Sequence, residues 1–354
     1  MKAKILKGFK WFGILLLSTI LLVVIAFQVS PRPGAYVIRH LFSDAVTITD
    51  KETYEQAKDS TSSLTDRSYQ SQFKKNNYDI YYPKGSEGPL PTLIWVHGGG
   101  YVSGDKAGVK EFATRLASDT HIAVVAMNYE PAPSSQYPNQ VVQVNELVQQ
   151  LKKENNQKLD LSKLIFGGDS AGAQIALQYV TIQTNQQYAK EIKMKQMIDP
   201  TAIKGAISYC GPVDLQQTAK QQSSDRLMHF FVKTVAWSLI GTKDWQTDER
   251  LYQASLVDQV SKDFPPTYIT DGNAYSFQDQ GIAFANKLKE LDVPVDELFY
   301  KDQKKEISHE YQFNYTLPES KICYEQTERF IENCFDLQQL NNELPKHPEI
   351  APSI

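Results

Sequence analysis

The segment Leu164-Ile165-Phe166-Gly167-Gly168-Asp169-Ser170-Ala171-Gly172-Ala173 decides how the rest of the chain is interpreted. It predicts a short apolar strand, a sharp turn that carries one serine, and a helix that starts at Ala171. Residues 168–172 match G-x-S-x-G, in which glycines let the backbone fold back and the serine hydroxyl stands clear of the sheet. The turn also directs the next N–H and the positive end of the helix toward the same point. We therefore predict that Ser170 is a nucleophile.

A run of three glycines forms the second motif, His97-Gly98-Gly99-Gly100-Tyr101, directly after the apolar residues 93–96. Glycines at the end of a strand let backbone N–H groups face a cleft with no side chain in the way, and such groups bind an oxyanion. We predict that the N–H groups of Gly99, Gly100 and Ala171 form a three-donor oxyanion hole.

The general base that would activate Ser170 is expected late in the chain. Folds that carry G-x-S-x-G on a strand–turn–helix place serine, acid and histidine in that order along the sequence. His309 follows the last predicted strand by a loop and is expected to open a helix. A neutral imidazole there can accept the serine proton and return it to the leaving group. The other histidines are expected elsewhere. His40 and His347 are expected outside the domain, and His121 before a strand. His229 is expected in a helical insertion, and His97 at a strand end where its ring shapes the glycine loop.

The acid that would orient His309 is expected just after the predicted strand 266–270. Asp271 ends this strand, and Asp279 is the alternative, although it also suits the first turn of a helix. Asp292 and Asp296 are weaker candidates. A dyad completed by water or by a backbone carbonyl remains open at this point.

From residue 78 onward, short apolar segments alternate with helical patterns. This alternation favours an α/β fold with a mostly parallel sheet that helices cover on both faces. The motifs fall beyond the carboxyl ends of the strands, where such sheets bind ligands. The predicted strands are 79–83, 91–96, 122–127, 164–166, 204–209, 267–270 and 297–300, and residues 140–153 form a predicted amphipathic helix.

The N-terminus is expected to cross a membrane. Residues 1–10 carry four lysines and no acid, and residues 11–29 are an uncharged apolar run. At ~1.5 Å per residue this run is ~28 Å long, close to the ~30 Å hydrocarbon core of a bilayer. We expect an uncleaved signal anchor, with residues 1–10 in the cytoplasm and the remainder outside the cell. The alternative is a signal peptide cleaved near 24–26, which would leave a secreted protein.

The remaining chain is divided into three parts. We expect residues 30–75 to be a stalk or an N-terminal cap segment, 76–335 the catalytic domain, and 336–354 a C-terminal tail. An insertion at about 213–263 contains the strongly apolar segment 225–240. It is expected to cover the serine and form a substrate pocket, to pack for stability alone, or to act as a membrane-facing lid.

Composition excludes several classes of protein. The 354 residues, 41% hydrophobic and 22% charged, suffice for one large domain with appendages, and a net charge of −4 gives no reason to expect nucleic acid as a partner. The cysteines Cys210, Cys323 and Cys334 show neither C-x-x-C spacing nor an even number, so neither a zinc site nor a disulfide framework is predicted.

Three motifs together resemble the hormone-sensitive-lipase-like esterase branch of the α/β-hydrolase superfamily: H-G-G-G-Y at 97–101, G-D-S-A-G at 168–172 and H-E-Y at 309–311. The likeness covers about residues 76–335. It implies an α/β-hydrolase fold, hydrolysis of carboxylic esters through an acyl-enzyme on Ser170, and no metal or organic cofactor. The branch usually has its acid in a D-P-L triplet after the seventh strand, where this chain reads Y-S-F at 275–277.

We therefore expect a membrane-anchored, extracytoplasmic serine carboxylesterase of the esterase/lipase type. Its expected partners are a small ester substrate and the bilayer, the latter through residues 11–29. A serine peptidase or a carbohydrate deacetylase is an alternative, because the same residues serve acyl transfer from other leaving groups. A weakly active surface interaction scaffold is the alternative from a different class.

Overall fold

The computed structural model of the chain describes residues 2–41, 47–220 and 225–337, with side chains from residue 6 onward. His347 and most of the expected C-terminal tail lie outside the described residues. The described strands form a single sheet: β1 (Thr61–Ser68), β2 (Asn77–Pro83), β3 (Leu90–Val96), β4 (Ala123–Met127), β5 (Leu159–Asp169), β6 (Ile203–Tyr209), β7 (Thr267–Asp271) and β8 (Val295–Phe299).

The sheet is mostly parallel, as predicted. Its strand order is β1-β2-β4-β3-β5-β6-β7-β8. The β1–β2 and β2–β4 pairs are antiparallel, and every other neighbouring pair is parallel. The carboxyl ends of β3, β5, β6 and β7 therefore lie along one edge, which brings the predicted motif residues together.

Helices cover both faces of this sheet. The described helices are α1 (Lys2–Val29), α2 (Arg32–Leu41), α3 (Lys51–Ser60), α4 (Lys110–Thr120), α5 (Asn139–Glu154), α6 (Ala171–Thr184), α7 (Gln186–Glu191), α8 (Leu215–Lys220), α9 (Arg226–Ile240), α10 (Glu249–Gln253), α11 (Gln278–Glu290) and α12 (Pro318–Phe335). Buried side chains of α5, α6 and α11 form the core on one face, and those of α4 and α12 form it on the other. The predicted α/β-hydrolase architecture is confirmed.

Most strands differ from the predicted bounds by two residues or fewer, whereas β5 and β1 differ more. β5 extends beyond the predicted 164–166 at both ends. At its carboxyl end Gly167 and Gly168 stay in the sheet opposite Trp95 and Val96. A Cβ at Gly167 would lie 2.9 Å from the Trp95 ring, so this glycine serves close packing within the strand. β1 was not predicted. Most of its side chains are polar and exposed, which is typical of an edge strand, and it adds residues N-terminal to the expected domain boundary at 76 to the sheet.

Helices α8, α9 and α10 fill the predicted insertion between β6 and β7. The side chain of Asp225 accepts hydrogen bonds from the first turn of α9, and Gly241 ends the helix in the left-handed conformation, with φ +84°. The C-terminal part of α9 is buried, whereas most of its N-terminal half is not.

Helix α1 is the one helix of the described ranges that is long and apolar enough to cross a bilayer, over Leu6–Val29. None of this span is buried against the rest of the chain. Only two residues separate α1 from α2. Helix α2 packs on α9, where a Cβ at Gly34 would lie 2.7 Å from the Thr234 side chain, and Ala35 and Ile38 are buried in the same contact.

Candidate active site

Ser170 occupies the tight turn between β5 and α6. Its backbone is held at φ 49° and ψ −123°, a strained conformation for a residue with a side chain. The turn approaches β3 so closely that a Cβ at Gly172 would collide with the Val96 carbonyl oxygen. The Ser170 amide donates to the Tyr209 carbonyl oxygen at 2.8 Å, which fixes the turn to the neighbouring strand.

His309 meets the serine from the far end of the sequence. Its Nε2 lies 3.0 Å from the Ser170 hydroxyl oxygen. The His309 amide donates to the Ala274 carbonyl oxygen at 3.0 Å, and the Phe277 ring packs edge-on against the imidazole. The helix expected to open at His309 is instead a short 3-10 turn at Tyr311–Phe313.

The long helix that follows begins only at Pro318, since proline is favoured at the first helical position.

Of the other histidines, His40, His121 and His229 are exposed on the protein surface.

Asp271, the last residue of β7, lies beside His309. The distance from its Oδ1 to His309 Nδ1 is 3.8 Å, longer than a direct hydrogen bond but short enough for a strong charge interaction. The carboxylate accepts hydrogen bonds from the Gly272 and Phe277 amides, both at 2.7 Å, which hold it in place. Asp279 is exposed in the first turn of α11, where an acid suits the start of a helix.

The charges around His309 favour its protonated form. Burial lowers the pKa of the imidazole, but the neighbouring Asp271 carboxylate and the negative charges of Glu310 and Asp169 outweigh burial and raise the pKa above its ordinary value. A proton taken from Ser170 would therefore be stabilised on this ring.

The glycine motif forms a tight loop after β3. Gly99 and Gly100 adopt φ values of 114° and 56°, which residues with side chains rarely adopt. The Ser103 amide closes the loop on the Gly99 carbonyl oxygen at 2.9 Å. A Cβ at Gly100 would lie 3.2 Å from the Phe231 ring of α9, so the loop and the insertion are in contact.

Asp169 joins the two motifs, a role that sequence reasoning missed. This buried carboxylate accepts hydrogen bonds from the Gly98 amide at 2.6 Å and from the Trp95 indole at 2.7 Å. Burial and the negative charge of Glu310 raise the pKa of Asp169 to about 7. The available signal was an acid at the variable position before the serine, within reach of a second glycine motif.

His97 has a packing role in the glycine loop. Its ring is buried and stacks on Tyr129, with 4.5 Å between ring centroids, and Nδ1 donates to the Gly98 carbonyl oxygen at 2.6 Å. Burial lowers the pKa of His97 to about 4, so the ring stays neutral over the physiological range.

One group in the described part of the chain could hold a metal ion. It consists of Cys210, Asp271 and His309, whose ligand atoms lie within 4.8 Å of one another. Two of these residues are His309, which faces Ser170, and Asp271, which lies beside His309. Asp271 already accepts hydrogen bonds from two backbone amides, and His309 Nε2 faces the Ser170 hydroxyl.

Comparisons with known proteins agree with this fold and with the motifs. A family model described as the alpha/beta hydrolase fold matches residues 93–308, more than half of the chain. An esterase of Fusarium pseudograminearum is 26% identical over 204 residues, which cover 57% of this chain and 60% of the relative. Versiconal hemiacetal acetate esterase of Dothistroma septosporum is 27% identical over 259 residues, which cover 70% and 74% of the two chains. The matches span between 60% and 63% of the length of the first curated relatives.

Among solved structures, esterase B of Lactobacillus rhamnosus superposes with a TM-score of 0.67 at 18% identity, covering 88% of this chain and 98% of the other. Identity this low supports the shared fold alone. Together with the family match and the two glycine motifs, the comparisons lead to one conclusion. The chain belongs to the α/β-hydrolase fold family, in its hormone-sensitive-lipase-like branch.

Proposed function

We propose that this protein is a serine esterase that hydrolyses carboxylic esters through an acyl-enzyme on Ser170. The observation that carries the proposal is the 3.0 Å separation between the Ser170 hydroxyl and His309 Nε2, at a strained turn beside the glycine loop. The names of the relatives, esterase and acetate esterase, favour an ester over other acyl substrates.

In the proposed reaction His309 takes the Ser170 proton while the serine oxygen attacks the ester carbonyl carbon. The N–H groups of Gly99, Gly100 and Ala171 bind the resulting oxyanion, and the loss of one such donor typically costs ~10²–10³ in rate. When the tetrahedral intermediate collapses, His309 gives its proton to the departing alcohol. Water, deprotonated by the same imidazole, then releases the acid and restores Ser170.

Asp271 is the proposed acid. Its carboxylate, held by two backbone amides, faces the Nδ1 side of His309. Attraction should draw the two groups closer when the imidazole becomes charged during the reaction. This placement also explains how the chain can lack the D-P-L triplet, because the acid stands at the strand end itself.

We further propose that α1 anchors the enzyme in the cell membrane, with the catalytic domain outside. Support comes from the exposed apolar span Leu6–Val29 and from the lysines at its N-terminal side. The contact of α2 with α9 favours a cap role over a stalk for this part of residues 30–75. The membrane fraction should retain the protein after an alkaline carbonate wash, and protease added to intact cells should remove the domain. A protein released by the wash, or protected from the protease, would contradict the anchor or its orientation.

The test of the chemistry uses the full chain in detergent and a fluorophosphonate probe. Wild type should be labelled and should hydrolyse p-nitrophenyl esters, whereas Ser170→Ala should do neither. The matched control is Ser276→Ala, at the loop position where the family motif and this chain differ. Absence of labelling in folded wild type would reject the esterase and favour the interaction scaffold. Labelling together with cleavage of peptides or acetylated sugars, but not of p-nitrophenyl esters, would favour the alternative substrates for the same chemistry.

A further inference from the structure

Helices α2 and α9 meet over the glycine loop. Ala35 and Ile38 of α2 form one small apolar cluster with Val102 and Ala132, and Phe230, Phe231 and Val235 of α9 pack against it. Arg39 of α2 donates to the carbonyl oxygens of Val102 and, at 2.7 Å, Ala132. The first helix after the apolar span is therefore built into the wall of the site.

The apolar span and this wall are in direct contact. The ring of Phe27, in the last turns of α1, lies 6.5 Å from that of Phe230 in α9. One residue further along, Phe231 lies against Gly100 of the glycine loop. Two consecutive aromatic residues of α9 thus contact the end of the apolar span on one side and the glycine loop on the other.

Helices α2 and α9 each carry a large apolar side chain that is exposed. Tyr36 is 71% exposed and Leu227 is 66% exposed, and Val29 at the end of α1 is 69% exposed. Tyr36 lies on the face of α2 opposite the buried Gly34, Ala35 and Ile38. We call Tyr36 and Leu227 the cap edge. Large apolar side chains exposed beside a membrane span are typical of a surface that enters the lipid interface.

The charge of α2 also favours contact between this helix and a lipid surface. The helix has no acidic residue and carries the exposed Arg32 at its start, so it is attracted to anionic lipid headgroups. Tyrosine is among the residues enriched at membrane–water interfaces. Both properties suit a lipid surface better than contact with bulk water.

We propose that the cap edge lies in the surface of the bilayer that α1 spans, and that substrate enters the site from the bilayer along the N-terminal half of α9, which is not buried. The substrate class is then a membrane-dissolved carboxylic ester with a long apolar chain. The chain would pass along Phe230 and Phe231 while the carbonyl group reaches Ser170. The substrate part of this inference rests on the proposed esterase function, whereas the contact with lipid does not.

The contact is tested with an environment-sensitive dye on the full chain. One exposed cysteine is introduced by Leu227→Cys or Tyr36→Cys in a Cys334→Ser background, in which the remaining Cys210 and Cys323 are buried. The protein is labelled with nitrobenzoxadiazole and reconstituted in phosphatidylcholine vesicles. We expect a blue shift of the emission at both positions. Ile322→Cys is the matched control, because Ile322 is an exposed apolar residue of α12, at 44% exposure, and its label should show no shift. No shift at the cap edge would overturn the proposal, and so would a shift that grows with protein density at constant lipid, which would indicate a second copy.

The substrate class is tested by comparing a vesicle-embedded ester, 4-methylumbelliferyl oleate, with soluble p-nitrophenyl acetate. Leu227→Asp should lower the ratio of the two rates ~10-fold, since a charge at the cap edge opposes lipid contact, whereas Ile322→Asp should leave the ratio unchanged. An unchanged ratio in Leu227→Asp would overturn the entry route, and turnover of the soluble ester alone would overturn the substrate class, while the esterase stands in either case. Failure on both esters would instead reject the proposed function.

Discussion

Asp271 and His309 determine how the proposed reaction responds to pH. The base must be neutral to accept the Ser170 proton, and its pKa lies above the ordinary value because Asp271 outweighs burial. We expect kcat/KM to fall as the pH drops through this raised pKa. Asp271→Asn removes the carboxylate, so burial prevails and the acid limb should move to lower pH.

The same substitution should lower kcat by ~10²–10⁴, because the imidazolium formed during the reaction loses its stabilising charge. The pH profile of kcat/KM measures both effects. Asp279→Asn serves as the control, since Asp279 is exposed in the first turn of α11. A loss in Asp279→Asn that Asp271→Asn does not show would assign the acid to Asp279.

Asp169 makes stability depend on pH. Its folded pKa of about 7 lies above the ~3.9 of an unfolded aspartate, so the folded state binds more protons between these values. The stability that the protonated group contributes is therefore complete below ~pH 4 and is lost as the pH rises to about 7. The exposed Glu310 adds to the raised pKa, and Glu310→Gln should lower it.

Thermal midpoints at pH 5 and pH 8 test this linkage. Relative to wild type, Glu310→Gln should have a higher thermal midpoint at pH 8. At pH 5 the increase should be smaller or reversed, because the variant there also lacks an anion beside protonated His309. Glu306→Gln, at an exposed position nearby, is the control. An equal change at both pH values would show that Glu310 does not act through Asp169.

At the scale of elements, α2 supports the glycine loop through Arg39. Its guanidinium group donates to the Val102 and Ala132 carbonyl oxygens, and the Val102 amide donates to the Gly99 carbonyl oxygen at 3.2 Å. Arg39→Met keeps most of the side-chain stem but removes the donors. We expect kcat to fall ~10-fold, about 1.4 kcal/mol, which lies within the range of a charged hydrogen bond.

Steady-state kinetics on a soluble ester check this prediction, and the thermal midpoint separates a local effect from unfolding. Arg32→Met is the matched control, because Arg32 is an exposed arginine of the same helix. If both variants lose activity equally, the effect comes from the charge of α2 and not from the support of the loop.

At the scale of the whole molecule, the point at which the chain is cut determines whether the domain keeps α2. A chain that starts at Ser30 retains α2, whereas one that starts at Thr47 loses it and uncovers Phe230, Phe231 and Val235. We expect the first fragment to keep its turnover of soluble esters within ~2-fold and the second to lose ~10-fold or more, because the wall of the site is incomplete.

Kinetics and thermal midpoints of the two purified fragments test this expectation. Equal turnover by both would show that the domain functions without α2, and inactivity of both would show that it requires α1 as well.

The sequence by itself determined the parts that depend on local patterns. The Ser170 turn needs glycines on either side, the glycine loop needs positive φ values, and buried parallel strands read as continuous apolar runs, so each leaves a signal within a few residues. The alternation of strands and helices then determined the α/β fold and its mostly parallel sheet. The approach of His309 to Ser170 followed from the order of these elements along the chain.

Only the tertiary structure decided which groups meet across long separations. It placed Asp271 beside His309 and left Asp279 exposed. The two residues are close in sequence, but one ends a buried strand and the other lies in the first turn of a helix. It paired the polar edge strand β1 with β2, joined Asp169 to Gly98, and packed α2 on α9. These contacts depend on packing between elements distant in sequence, where local preferences carry no information about the partner.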